Sequence, residues 1–82
     1  MKYSIGSIVK ACAGRDMDSY FVVVKCDEKG YIYIADGKSR KLAKPKRKNP
    51  KHLQYTNTVI ELDTVTDKQL KRLLKDYSLN IL

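Results

Sequence analysis

The sequence has few of the residues on which most enzymes and metal sites depend. His52 is the only histidine, so no cluster of histidine ligands can form, and its place beside Lys51 favours a solvated or stacking role over that of a catalytic base. Cys12 and Cys26 lack CxxC spacing and are expected to be reduced, small packing residues. The glycines do not form a motif that binds nucleotide phosphates, and the acidic residues show no paired placement that would suggest a general acid and base. We therefore expect no enzyme, no metal and no cofactor.

Long apolar runs are also missing. The longest run, residues 20–24, is too short to span a membrane, and the first six residues contain no apolar core of a signal peptide. The sequence therefore predicts a cytoplasmic protein without a membrane partner.

The composition nevertheless predicts one small folded domain with a polyanionic partner. The chain has 82 residues, of which 43% are hydrophobic, and these are enough to bury a modest core. Its formal charge is +8 and its pI is about 9.6, which is typical of nucleic-acid binding. A monomer is expected.

The whole net charge belongs to one stretch, residues 38–52, which we call the basic segment. It holds eight of the 17 Lys and Arg residues and no acid, while nine basic and nine acidic residues outside it cancel. Its candidate binding residues are Lys38, Arg40, Lys41, Lys44, Lys46, Arg47, Lys48, Lys51 and His52. Pro45 and Pro50 forbid a continuous helix, so an anionic partner is expected to offset the repulsion. The alternative is a flexible loop that only aids solubility.

Periodicity predicts an all-β domain followed by a helix. Apolar and β-branched residues predict strands at 7–13, 20–25, 31–35 and 58–62, with a short strand from Leu42. The 20–24 run is apolar on both faces and should form the central strand. Five short strands favour a small closed or nearly closed barrel over residues 1–63.

The segment 64–82 should add an amphipathic helix that packs on the barrel. Leu70, Leu73, Leu74 and Tyr77 have i, i+3, i+4, i+7 spacing, and Thr66 with Gln69 has the spacing of a capping box. The helix is therefore expected to contribute stability rather than recognition.

Several elements resemble the KOW family. Residues 6–16 followed by 20–24 resemble the KOW motif, a strand-loop-strand element of SH3-like barrels, and residues 34–37, 44–46 and 51–53 extend the match. Over residues 5–62 the chain resembles small bacterial KOW-domain proteins similar to large-subunit ribosomal protein fourteen of archaea and eukaryotes. Asp18 stands where the KOW loop usually has glycine, although aspartate tolerates a left-handed backbone better than most residues.

The resemblance implies a small SH3-like (KOW) barrel that binds RNA, with ribosomal RNA and the translation machinery as natural partners. By match it adds Gly14, Arg15 and Lys10 to the basic segment. Tyr31 and Tyr33 are further candidates because aromatics beside cations can stack on bases, although strand propensity explains them equally well.

Three classes of partner remain open at this point. The first is a nucleic acid docked on the basic segment, for which charge alone does not exclude DNA and the family resemblance favours RNA. The second is an acidic protein of the ribosome or the transcription machinery bound by an SH3-like module. The third is an anionic lipid surface, which polybasic segments also attract.

Overall fold

The computed structural model describes residues 4–80, so residues 1–3 and 81–82 of the predicted barrel and helix lie outside it. Short turns join five strands, a 3-10 turn and one C-terminal helix. The elements are β1 Ser7–Ala11, β2 Tyr20–Cys26, β3 Ile32–Ala35, β4 Lys46–Lys48, the 3-10 turn Pro50–His52, β5 Leu53–Val59 and α1 Asp67–Asn80.

The strands form one antiparallel sheet in the order β4-β3-β2-β1-β5. The prediction that residues 20–24 form the central strand is confirmed, because β2 lies in the middle. Phe21 and Val23 are buried on one face and Val22 on the other. Irregular register between Ser7 and Val9, and between Val23 and Lys25, lets the sheet bend.

Two apolar clusters occupy the two faces of this sheet. The first contains Val9, Ala11, Phe21, Val23, Ile32, Ile34 and Leu53. Its members come only from strands, so the sheet curls around them and gives the domain a barrel-like shape. The second contains Ile8, Val22, Ala35, Leu70 and Leu74, and it joins the opposite face to α1. Strands with both faces covered explain the near-continuous apolar run of β2.

The predicted helix and its cap are confirmed. The backbone N–H of Gln69 donates to Thr66 Oγ1 (3.2 Å), and the N–H of Thr66 donates to Gln69 Oε1 (3.0 Å), which completes the capping box. Leu70 and Leu74 are buried against the sheet, with Leu73 and Tyr77 packed at their edge. The Tyr77 ring meets Tyr20 of β2 edge-on at 5.5 Å.

Two predicted strands were misplaced. Leu42 lies in a turn, and the fourth strand is formed instead by the charged residues Lys46–Lys48. The last strand is Leu53–Val59 rather than residues 58–62, because pairing with β1 runs from Ala11–Leu53 to Ser7–Val59. The basic segment is therefore not one loop but contains a strand and a 3-10 turn.

The cysteines do not pack as predicted. Cys12 and Cys26 are both exposed, and they are not joined by a disulfide. Within residues 4–80, no helix has the length and apolar character needed to cross a membrane.

Candidate nucleic-acid interface

The fourth strand places three cations at one edge of the sheet. Lys46, Arg47 and Lys48, which we call the β4 cations, pair with Ile34, Tyr33 and Ile32 of β3. Paired residues share a face, so Arg47 lies on the outer side with Tyr33, while Lys46 and Lys48 lie half-buried at the rim of the core. Pro45 and Pro50 flank this strand, where the missing N–H groups do not interrupt it.

Arg47 lies among aromatic and acidic side chains. Its guanidinium carbon is 4.1 Å from the centre of the Tyr31 ring, and its Nε is 3.4 Å from Asp27 Oδ2. Lys25 lies 4.8 Å over the Tyr33 ring. The structure therefore brings Arg47, Tyr31 and Tyr33 together, with a cation already over one side of each ring. A planar guanidinium on an aromatic ring is itself a surface on which bases stack.

Asp27 organises this cluster, although no motif in the sequence marks it as a functional residue. Its Oδ1 accepts the backbone N–H of Lys29 (2.9 Å) and Tyr31 (3.0 Å), and the Tyr33 hydroxyl donates to Oδ2 (3.4 Å). Partial burial raises the pKa of Asp27, but the N–H groups of Tyr31 and Lys29, the charge of Arg47 and the Tyr33 hydroxyl outweigh it and lower the pKa. The carboxylate is therefore ionised at neutral pH and opposes any phosphate that approaches Arg47.

Replacing Asp27 tests whether this carboxylate competes with a ligand. Asp27→Asn keeps an oxygen for the turn but removes the charge beside Arg47, so we expect RNA affinity to rise about 1.5- to 5-fold, the value of an exposed ion pair. The measurement is RNA binding by fluorescence anisotropy at low salt. Asp63→Asn is the control, because it removes the same charge from an exposed segment outside the β4 edge. Equal affinities of the two variants would contradict the prediction.

The β1–β2 loop lies beside the basic segment. Asp16 Oδ2 is 3.4 Å from the Lys46 ammonium, and the backbone N–H of Cys12 donates to the carbonyl of His52 at 2.9 Å. Asp18 has a φ of +72°, so aspartate does adopt the left-handed backbone where glycine was expected. Arg15 is exposed at the tip of this loop. The loop therefore adds Arg15 to the surface near β4, but Asp16 offsets part of the charge.

Lys51 and His52 lie in the 3-10 turn between β4 and β5. Asn49 caps this turn, since its Oδ1 accepts the N–H of Lys51 at 3.1 Å. Lys51 is exposed and His52 half-buried. Both belong to the same end of the sheet as the β1–β2 loop.

The remaining candidates are not part of this edge. Lys38 and Arg40 belong to a turn in which both backbone N–H groups donate to Asp36 Oδ1, at 2.9 and 2.8 Å. The Nε of Arg40 is shielded and has no hydrogen-bond partner among residues 4–80. Lys44 is exposed and joins this turn to β4.

Lys10 and Lys41 lie towards the helix. The Lys10 ammonium is 3.6 Å from Asp18 Oδ1 and 5.9 Å from the ring of Tyr20, which itself contacts Tyr77 of α1. Lys41 donates to the carbonyl of Gly37 at 3.4 Å and borders the start of α1. The candidates are therefore divided among three places: the β4 edge, the adjoining end of the sheet with Arg15, Lys51 and His52, and the helix side with Lys10, Lys38 and Lys41.

No protein-family model matches the chain, and no curated protein resembles it significantly. The resemblance to the KOW family therefore stays a prediction. Among residues 4–80, no three His, Cys, Asp or Glu side chains are placed to hold a metal ion.

Proposed function

We propose that the protein is an RNA-binding module of the KOW type, built as a small SH3-like barrel that docks on structured RNA in the cytoplasm. The five antiparallel strands and the barrel-like curl are compatible with that fold. Ribosomal RNA and the translation machinery are the partners that the resemblance favours. The protein acts as a binding module rather than as an enzyme.

One observation carries this proposal: the β4 cations lie at an edge of the sheet beside Tyr31 and Tyr33. Lys and Arg replace the counterions of phosphates, and the Tyr31–Arg47 pair offers a surface for an unpaired base. Unpaired bases in the loops of folded RNA stack on aromatic rings and on arginine guanidinium planes, and Arg47 with Tyr31 and Tyr33 offers both on the outer face of the sheet. Lysines on an edge strand also prevent edge-to-edge pairing. If the β4 cations served only to protect this edge, no ligand would depend on Arg47 for its binding.

The salt dependence of binding tests the class of partner. If four to six cations contact phosphates, log K for an RNA hairpin should fall with log salt at a slope of about −3 to −5, because each contact releases roughly 0.7–0.9 counterions. Anisotropy titrations of a labelled hairpin from 50 to 300 mM salt, with a DNA duplex of equal length in parallel, give the slope. A flat profile, or equal affinity for the DNA duplex, would contradict RNA recognition.

An acidic protein partner is the rival function, and one feature of the structure favours it. Asp16 and Asp27 each lie 3.4 Å from a β4 cation, so this edge already accepts carboxylates. A carboxylate ligand releases no condensed counterions, so its binding should depend less on salt than RNA binding does. Tight, salt-tolerant capture of an acidic protein from a nuclease-treated extract, without measurable RNA affinity, would promote this rival.

A further inference from the structure

The exposed face of α1 carries a second row of cations. Lys68, Lys71, Arg72 and Lys75, which we call the helix cations, are all exposed. Their i, i+3, i+4, i+7 spacing places them on one face of the helix. The buried Leu70 and Leu74 lie on another face, so α1 has an apolar face towards the sheet and a basic face towards solvent.

This basic face is only partly balanced by acids, since Asp76 lies at i+4 from Arg72 and lines the same depression as the four helix cations. None of the ion pairs within residues 4–80 involves a helix cation. Lys68 with Arg72, and Lys71 with Lys75, are like charges at i, i+4, a spacing that destabilises a helix. Asp67 lines a second depression with Lys68 and Lys71, and its Oδ1 accepts the N–H of Leu42 at 2.7 Å. The four helix cations outnumber these two acids, so the exposed side of α1 keeps a net positive charge that an anionic ligand would offset.

The turn before β4 adds two lysines to the same face. Gly37, at a φ of +77°, packs so closely on α1 that a Cβ atom there would overlap the carbonyl oxygen of Asp67. Lys38 and Lys41 consequently line one shallow depression together with Lys68 and Lys71. We call these six residues, Lys38, Lys41, Lys68, Lys71, Arg72 and Lys75, the helix surface.

We propose that the helix surface is a second site for the sugar-phosphate backbone of RNA, contacted by the same molecule that binds the β4 cations. The inference rests on the proposed function and extends it to α1. The basic segment physically joins the two sites, since it runs from Lys38 beside the helix through Lys44 to β4. Among residues 4–80, no aromatic side chain lines the two depressions that Lys68 and Lys71 share. Tyr20 borders a third depression beside Lys71, but its ring is packed edge-on against Tyr77, so this surface is expected to bind phosphates without stacking bases. The helix therefore takes part in recognition, beyond the packing role expected from the sequence.

The test compares two variants that lose one charge each. Lys71 borders three depressions along the helix, whereas Lys29 is exposed in the β2–β3 turn. With a structured RNA hairpin as the probe, Lys71→Gln should lower affinity about 1.5- to 5-fold and make the salt slope shallower by about 0.7–0.9. Lys29→Gln should leave the slope unchanged, and Lys71→Gln with Lys75→Gln should double the change.

Two further measurements on the double variant, its melting temperature and its affinity for a short probe, show whether the helix surface contacts RNA or only adds to the overall charge. Glutamine is a good helix former and relieves the like-charge contact, so the double variant should melt no lower than the wild type. A dinucleotide has a single bridging phosphate and can occupy the Tyr31–Arg47 stack alone, so the double variant should keep most of its affinity for that probe at the β4 edge.

The outcomes distinguish this inference from the function on which it rests. If the wild type binds the hairpin, and replacing the β4 cations weakens binding while Lys71→Gln keeps the wild-type slope, the helix surface is no site and the proposed function stands. Equal effects of Lys71→Gln and Lys29→Gln also overturn the helix surface. A wild type that binds no RNA overturns both.

Discussion

Replacing the three β4 cations with glutamine is expected to weaken RNA binding about 10- to 100-fold at physiological salt. Each lost phosphate contact removes a binding free energy comparable to that of an exposed ion pair. Replacing Arg47 also removes the stack of its guanidinium on Tyr31. The salt slope should become shallower by about 2–3 because three counterion-releasing contacts disappear. Anisotropy titrations with the RNA hairpin measure both quantities.

The fold should survive this triple substitution. β4 is an edge strand whose backbone hydrogen bonds to β3 do not depend on the side chains. Glutamine retains part of the aliphatic stem by which Lys46 and Lys48 cover the rim of the core. The melting temperature should therefore remain close to that of the wild type. Unchanged affinity and slope in a folded triple variant would show that RNA binds elsewhere.

The sequence predicted the strands that alternate or carry apolar runs. Ile32 and Ile34 enter the core while Tyr31 and Tyr33 stay half-exposed, as their alternation indicates. β4 was missed because its residues have low strand propensity and repel one another. Pairing with β3 stabilises it nonetheless, since an edge strand leaves its charges in contact with solvent.

The candidate site was harder to predict, because charge along a sequence does not show how charges are distributed on a surface. The residues outside the basic segment have no net charge when they are summed along the sequence. In the structure, however, Asp16 and Asp27 lie beside the β4 cations, whereas the helix cations lie on α1. The spacing of Lys68, Lys71 and Lys75 was visible in the sequence, and applying helical periodicity to charges as well as to leucines would have found it. Nothing local indicated that Asp27 would contact Arg47, because β4 brings them together across the sheet.

Leu70→Ala is expected to be the most destabilising single substitution on the helix. Leu70 is 0% exposed and packs with Ile8, Val22, Ala35 and Leu74, so truncation leaves a cavity between helix and sheet. Such changes cost about 2–5 kcal/mol, a large share of the 5–15 kcal/mol typical of a small domain. The melting temperature should fall by roughly 10–30 °C. Thermal unfolding followed by circular dichroism measures this fall.

Leu79→Ala supplies the matched control on the same helix. Leu79 is 66% exposed, so its truncation should change the free energy of unfolding by less than about 0.5 kcal/mol. Well below its melting temperature, Leu70→Ala should retain the RNA affinity and salt slope of the wild type, because the apolar face of α1 contacts the sheet and not the ligand. The Lys71→Gln variants on the basic face of α1 should show the reverse behaviour, with lower RNA affinity and unchanged stability. Equal melting of the two leucine variants would mean that α1 does not depend on this packing, and the separation of the two helix faces would then be wrong.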